Sequence, residues 1–296
     1  MFLPRFIRFF QHLHRHTLHL TFTRTIERRL LGLASEIAFN AMLSLFPAIL
    51  ALFTAIGLFT GVQDTFIQLA VQLSRVVPQE AWKLISDFAT QEIANSKNSS
   101  LFSLSFAIAL WSAAGAVSTA MTAFDQIQQI HPNQMRPFWQ AKLVSLGLTI
   151  GTILLLMLAS FLVFISDFLL GMVVAGHPAL IFLLHLWQLL LWPVALCVVA
   201  ATFAFIYRYG ASQRSPGTPI MPGAILAAIS WAVLSALFRL YVTNFGNYNK
   251  VYGTVGTFIV LMLWLWMSAF VLLVGYQVNV TVGEDMHSYR KMSLKK

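Results

Sequence analysis

Long apolar stretches separated by short polar breaks run along the chain from about residue 33 to residue 282. A helix crossing a bilayer needs about 20 mostly apolar residues, and six stretches of that size stand at 33–60, 101–125, 143–170, 180–207, 219–241 and 254–282. The pattern predicts an all-α polytopic membrane protein with six transmembrane helices. These spans use most of the chain, so no soluble catalytic domain fits between them. Composition agrees: 58% of residues are hydrophobic and 10% are charged, against about 25% charged in soluble domains.

The formal net charge of +9 matters less by size than by placement. Arg5, Arg8, Arg15, Arg24, Arg28 and Arg29 precede the first span. Arg136 and Lys142 fall between spans two and three, Arg208 and Arg214 between four and five, and Arg290, Lys291, Lys295 and Lys296 after the sixth. The opposite side holds only Arg75, Lys83, Lys97, Arg239 and Lys250. Lys and Arg concentrate in cytoplasmic loops, so both termini are expected inside, consistent with an even number of spans. The basic ends fit anionic lipid headgroups, and no nucleic acid is expected.

Residues 1–30 lack the continuous apolar core and cleavage site of a signal peptide. Apolar and basic positions alternate there at helical spacing, which predicts an interfacial amphipathic segment. His12, His14, His16 and His19 fall on it without a neighbouring Cys or carboxylate, so no metal site is expected. Residues 31–282 form the membrane domain and 283–296 a basic cytoplasmic tail. Within the domain, two amphipathic stretches around Pro78 make 61–99 an external helical cap. Cys197, the only cysteine, is expected as a small buried hydrophobe.

Several polar residues interrupt the spans. Glu36, Asn40 and Ser44 recur every four residues on one face of span one, followed by Pro47. Such groups are costly against lipid and belong against protein or a hydrated cavity. Span two adds small residues at Ser112, Gly115, Ala116 and Thr119, with Ser118, Thr122 and Asp125 as an adjacent polar row. Asp125 lies at a depth comparable to Glu36, which makes a shared inner vestibule one expectation and a helix terminus the other. Gln277 and Asn279 near the inner end of span six could complete it. Near the outer edge, Arg239 precedes Asn244 and must pair, snorkel or face a cavity. Glu36, Asn40, Ser44, Ser118, Thr122, Asp125, Arg239, Asn244, Gln277 and Asn279 form the expected polar cavity or substrate path. No catalytic residue and no cofactor is assigned.

Four separated pieces, at 28–52, 110–127, 222–242 and 252–279, resemble in order the YihY/BrkB membrane family, once labelled ribonuclease BN. In that family the first span usually carries a carboxylate, an aromatic, an Asn and a Ser-Leu-Phe-Pro group. Here these are Glu36, Phe39, Asn40 and residues 44–47; Phe39 lacks the hydroxyl of the family's frequent Tyr. The resemblance implies a polytopic protein of the bacterial inner membrane with an envelope role. Transport or transbilayer movement of an anionic lipid or other amphiphile is the leading expectation, and a non-transporting scaffold for envelope enzymes is the alternative. Ribonuclease activity is not expected, because no acidic or histidine–aspartate metal constellation stands in the sequence.

Overall fold

The structure is a computed structural model that describes residues 9, 14–58, 99–155, 157, 181–213, 218–244 and 248–293. All regular structure among the described residues is helical. In chain order the helices are α1 (Arg15–Glu27), α2 (Leu30–Leu58), α3 (Ser99–Ile127), α4 (Phe138–Leu155), α5 (Ile181–Gly210), α6 (Met221–Asn244) and α7 (Tyr248–Ser293), with a 3-10 turn at Pro132–Gln134.

Five segments are long and apolar enough to cross a membrane: Phe106–Ile127, Phe138–Leu155, Pro193–Gly210, Met221–Val242 and Phe258–His287. The first predicted span coincides with α2, in which Leu30–Leu45 is a shorter apolar helix segment. Pro47 stands inside α2 without ending it. The chain is therefore a helical membrane protein, with five such spans among the described residues and α2 at the position of the remaining predicted one. The predicted external cap, 61–99, lies outside the described residues apart from the first residue of α3.

Side-chain placement is the reverse of a soluble protein's. Leu104, Phe106 and Ile108 on α3, Leu143, Ile150 and Leu154 on α4, and Val233, Leu237 and Leu240 on α6 are all exposed. Apolar surface on that scale has no place in water and fits hydrocarbon. Cys197 is exposed on α5, so the expectation of a buried thiol is corrected: among the described residues no helix covers this face.

The core lies where α2, α3, α5, α6 and α7 converge. Leu33 and Ile37 meet Phe124 and Ile127, and these pack on Tyr207, Leu273 and Tyr276. Phe124, Tyr207 and Tyr276 form an aromatic cluster with ring centroids 4.2 to 5.7 Å apart. Each such pair is worth about 0.5–1.5 kcal/mol beyond its buried area. The Tyr207 hydroxyl donates to the Leu272 carbonyl at 2.7 Å, and Gln128 Nε2 donates to the Tyr276 hydroxyl, so the buried phenols are satisfied.

Close approach of α6 and α7 depends on two glycines. A Cβ at Gly275 would stand 2.6 Å from Ala227 Cβ and 2.6 Å from the Tyr207 hydroxyl, and one at Gly223 would strike the Gly275 carbonyl. The paired tryptophans of α7 also have places. Trp264 packs edge-on against Trp231 of α6, and Trp266 stacks on Phe270 while its indole N–H donates to the Leu31 carbonyl of α2 at 3.2 Å.

α7 has 46 residues, about 69 Å at 1.5 Å per residue, well beyond a hydrocarbon core of about 30 Å. It continues to Ser293, so most of the expected tail at 283–296 is an extension of the last helix. α1 packs on α7. Its buried face is the threonine stripe Thr17, Thr21 and Thr25. Thr21 and Thr25 return their hydroxyl protons to carbonyls one turn back, which satisfies them without a partner on α7. Arg24 pairs with Glu284 at 2.6 Å. Leu18, Phe22 and Ile26 point outward and are more than half exposed, an arrangement suited to a helix resting on the membrane interface.

Candidate functional site

Two tight turns assemble the inner end of the bundle. α1 stops at Arg28, and Arg29, with φ 53°, reverses the chain in the left-handed region before α2 begins. α3 stops in the same way at Gln129, φ 55°, where the Gln129 N–H donates to the Gln126 carbonyl and the Ile130 N–H to the Asp125 carbonyl. This is a Schellman closure made without glycine. Both turns present polar groups to the space between α2 and α3. Arg28 spans that space, donating to the terminal Ile127 carbonyl of α3 and, at 3.0 Å, to Gln277 Oε1 of α7. Burial, and then the neighbouring Arg24, pull the Arg28 pKa down, while Glu284 and Glu27 oppose them. A cation at a helix C-terminus also meets the negative end of the dipole.

Two cavities lie along the α2–α3 face. The first, about 360 Å³, is lined by Glu27, Arg28, Arg29, Gly32, Leu33, Glu36 and Gln126. The second, about 330 Å³, has Leu33, Glu36, Ser118, Thr119, Thr122 and Lys142 in its wall and exposed Trp111 and Phe138 at its edge. Leu33 and Glu36 line both, so the two cavities adjoin at Glu36 along one groove of the α2–α3 face. From Gln126 to Trp111 the groove follows α3 for roughly 22 Å, a large part of the bilayer's apolar thickness.

The groove wall is built by side chains that return their own protons to the helix. Asn40 Nδ2 donates to the Glu36 carbonyl at 3.0 Å and to Thr119 Oγ1 at 3.1 Å, and its Oδ1 lies over Gly115. Thr119 and Thr122 donate to the carbonyls of Gly115 and Ser118. The small residues of α3 thus bring α2 close enough for Asn40 to cross. Lys142 is buried; its ammonium donates to the Trp111 carbonyl at 3.1 Å and lies 4.1 Å from the centre of that ring. Cation–π attraction of this kind is worth up to about 2 kcal/mol when water is excluded.

Glu36, Ser118 and Thr122 therefore face one groove, with Asn40 bracing its wall. Ser44 donates to the Ala41 carbonyl at 2.6 Å, within its own helix. The shared vestibule of Glu36 and Asp125 is not formed. Asp125 is buried on another face of α3, where it accepts from the backbone N–H and the hydroxyl of Ser212, both at 2.6 Å. Arg136 closes the same corner, donating to the carbonyls of Tyr209, Gly210 and Ala211 at the end of α5. Gln277 and Asn279 likewise line neither cavity. Gln277 donates to Thr281 at 2.8 Å and receives Arg28. Asn279 accepts from the Gly223 N–H and donates to the Ile220 carbonyl, capping α6. All three sites are helix-joining polar contacts, because the rotation of α3 and α7 turns them toward neighbouring helices. Arg239 is exposed on α6, away from the groove lining, and Asn244 ends α6 with its side chain outside the described residues.

Sequence reasoning missed Lys142, Thr119, Arg28 and Arg29 as groove residues. Lys142 stands at the edge of a predicted span and counts there as a topological charge; its proximity to Trp111 comes from the approach of α4 to α3. The spacing of Thr119 four residues after Gly115 is the signal that was legible. Among the described residues no group of three His, Cys, Asp or Glu side chains is placed to hold a metal ion.

Comparison with known proteins adds the lineage. The chain is 28% identical over 267 residues to the ribonuclease-like protein YfkH of Bacillus subtilis, covering 88% of this chain and 90% of that one. It is 25% identical over 281 residues to a UPF0761 membrane protein of Cronobacter sakazakii, covering 93% and 90%. To a UPF0761 membrane protein of Delftia acidovorans it is 26% identical over 285 residues, and it spans 64% of that longer relative. No solved structure matches the chain significantly. A family profile described as Virulence factor BrkB matches residues 21–296, and the chain, a helical membrane protein throughout its described part, belongs to the BrkB family.

Proposed function

We propose that the α2–α3–α4 groove carries the phosphate-bearing headgroup of a membrane amphiphile across the bacterial inner membrane while the acyl chains stay in lipid. The observation that carries this reading is that two cavities adjoin at Glu36, with exposed apolar rings at Trp111 and Phe138 beside them. A charged headgroup is costly in hydrocarbon, and a polar groove of roughly 22 Å shortens the apolar barrier it meets. The asymmetry of Lys and Arg along the chain supports a cytoplasmic mouth and cytoplasmic termini.

The test is lipid translocation in proteoliposomes, comparing wild type with Lys142→Met and Glu36→Gln at matched insertion and orientation. The proposal expects protein-dependent movement that falls at least severalfold in both variants. Equal rates in wild type and variants would remove the groove from the path. No protein-dependent movement of any lipid, together with a captured envelope protein whose activity requires this chain, would replace transport by the scaffold reading.

A further inference from the structure

The inner cavity is a charged site whose charges cancel. Arg28 and Arg29 contribute two positive charges, Glu27 and Glu36 two negative ones. A net anion gains little from a neutral pocket, whereas a dipolar group gains wherever the pocket separates its own charges. Separation is what the geometry provides. A Cβ on Gly32 would lie 4.0 Å from Arg29 Nη2, so the Arg29 guanidinium is folded over the first turn of α2. Glu36 stands four residues beyond Gly32 on the same face, roughly 6 Å along the axis. Arg29 and Glu36 form no ion pair with each other, and neither has a charged partner closer than an ion-pair distance among the described residues. Two opposite charges that line one cavity beyond ion-pair distance of each other match a ligand carrying both an anion and a cation.

We infer that the groove selects headgroups in which a primary amine stands beside a phosphate, with the phosphate on Arg29 and the ammonium on Glu36. This rests on the transport reading and narrows its substrate class from any phosphate-bearing amphiphile to phosphoethanolamine-type ones. Arg28 serves as the wall: its hydrogen bonds to Ile127 and Gln277 keep it engaged with protein, leaving Arg29 as the cation that meets the ligand. The second cavity shares Glu36, but its cation, Lys142, is held by the Trp111 carbonyl and ring, so the selective pair is Arg29 and Glu36.

The experiment uses the full chain and lipids labelled on an acyl chain, so that the headgroup stays native. Translocation of phosphatidylethanolamine and phosphatidylglycerol is measured in the same proteoliposomes for wild type, Glu36→Gln and Glu36→Asp. In detergent, binding of short-chain forms of both lipids and of free glycerophosphoethanolamine is measured by calorimetry. Wild type is expected to favour the ethanolamine lipid by about twofold to fivefold, the scale of one exposed charge pair, because Arg29 and Glu36 are both exposed. Glu36→Gln is expected to bring the ratio close to one, and Glu36→Asp to retain part of it. Binding of free glycerophosphoethanolamine would assign the recognition to the headgroup alone; binding of the lipid only would add the acyl chains to it, and both outcomes support the inference. A wild-type ratio near one, or a ratio that Glu36→Gln leaves unchanged in both assays, overturns it. Glu36-dependent selective binding without any translocation would uphold the selectivity and refute transport.

Discussion

Replacing Asp125 by alanine removes the carboxylate that joins α3 to the loop after α5. Asp125 accepts two hydrogen bonds from Ser212, each 2.6 Å, and only 5% of its surface is exposed. Hydrogen bonds to charged groups contribute about 1.5–3 kcal/mol each. The loss is offset in part because the variant no longer buries a charge. The net expected destabilisation is about 2–4 kcal/mol, since the Ser212 N–H is also left without its acceptor. At roughly 2–4 °C per kcal/mol for chains of this order of size, purified protein in detergent should melt about 4–16 °C below wild type by intrinsic tryptophan fluorescence. Asp125→Asn keeps one acceptor for the Ser212 N–H and should lose about half as much. Combined with Ser212→Ala, the alanine variant should show a coupling above about 1 kcal/mol, as contacting residues do. An Asp125→Ala melting point within about 1 °C of wild type, or additive effects in that cycle, would refute the assignment of Asp125 as a structural lock.

Gly275→Ala should destabilise by about 1–3 kcal/mol, because its methyl would meet Ala227 and the Tyr207 hydroxyl at 2.6 Å; a wild-type melting point would show that α6 and α7 are not in close contact there. Asn279→Ala uncaps α6 by removing the acceptor of the Gly223 N–H and should cost about 1 kcal/mol or somewhat more, without changing groove selectivity in the lipid assay. In a Cys197→Ala background, a cysteine at Gln134 should react with an impermeant maleimide only in opened cells, and one at Ser96 in intact cells. The opposite pattern would invert the topology read from the basic residues. Arg28→Met should lower stability and widen the mouth, because it cuts the links to Ile127 and Gln277; unchanged thermal stability would remove Arg28 as a strut.

The bounds of the helices were largely legible. α5 and α6 begin within two residues of the predicted spans and end three beyond them, because lipid selects long apolar segments residue by residue along the chain. Element ends were less so. α4 starts five residues earlier than expected, at an exposed Phe138–Trp139 pair, and α7 runs past residue 282 because Glu284 finds Arg24 and the helix continues under α1. The polar stripe of α2 was visible from its spacing. Its two halves have different fates, which spacing alone does not show: Glu36 opens into the groove while Ser44 turns back on its own backbone.

The sequence by itself determined the solvent, the helical class, the family and the presence of polar groups too costly to face lipid. Those properties depend on hydrophobicity summed over neighbouring positions, and they do not require knowing which helix touches which. Tertiary structure decided the roles of the polar groups. Asp125, Gln277 and Asn279 look like Glu36 in composition and depth, yet helix rotation aims them at Ser212, Arg28 and the start of α6, where they hold helices together. Lys142 looks like a loop charge, yet the approach of α4 to α3 places it beside Trp111 in the groove. A side chain's cost in the membrane follows from its chemistry, but the partner that relieves that cost is set by packing between segments far apart in the chain.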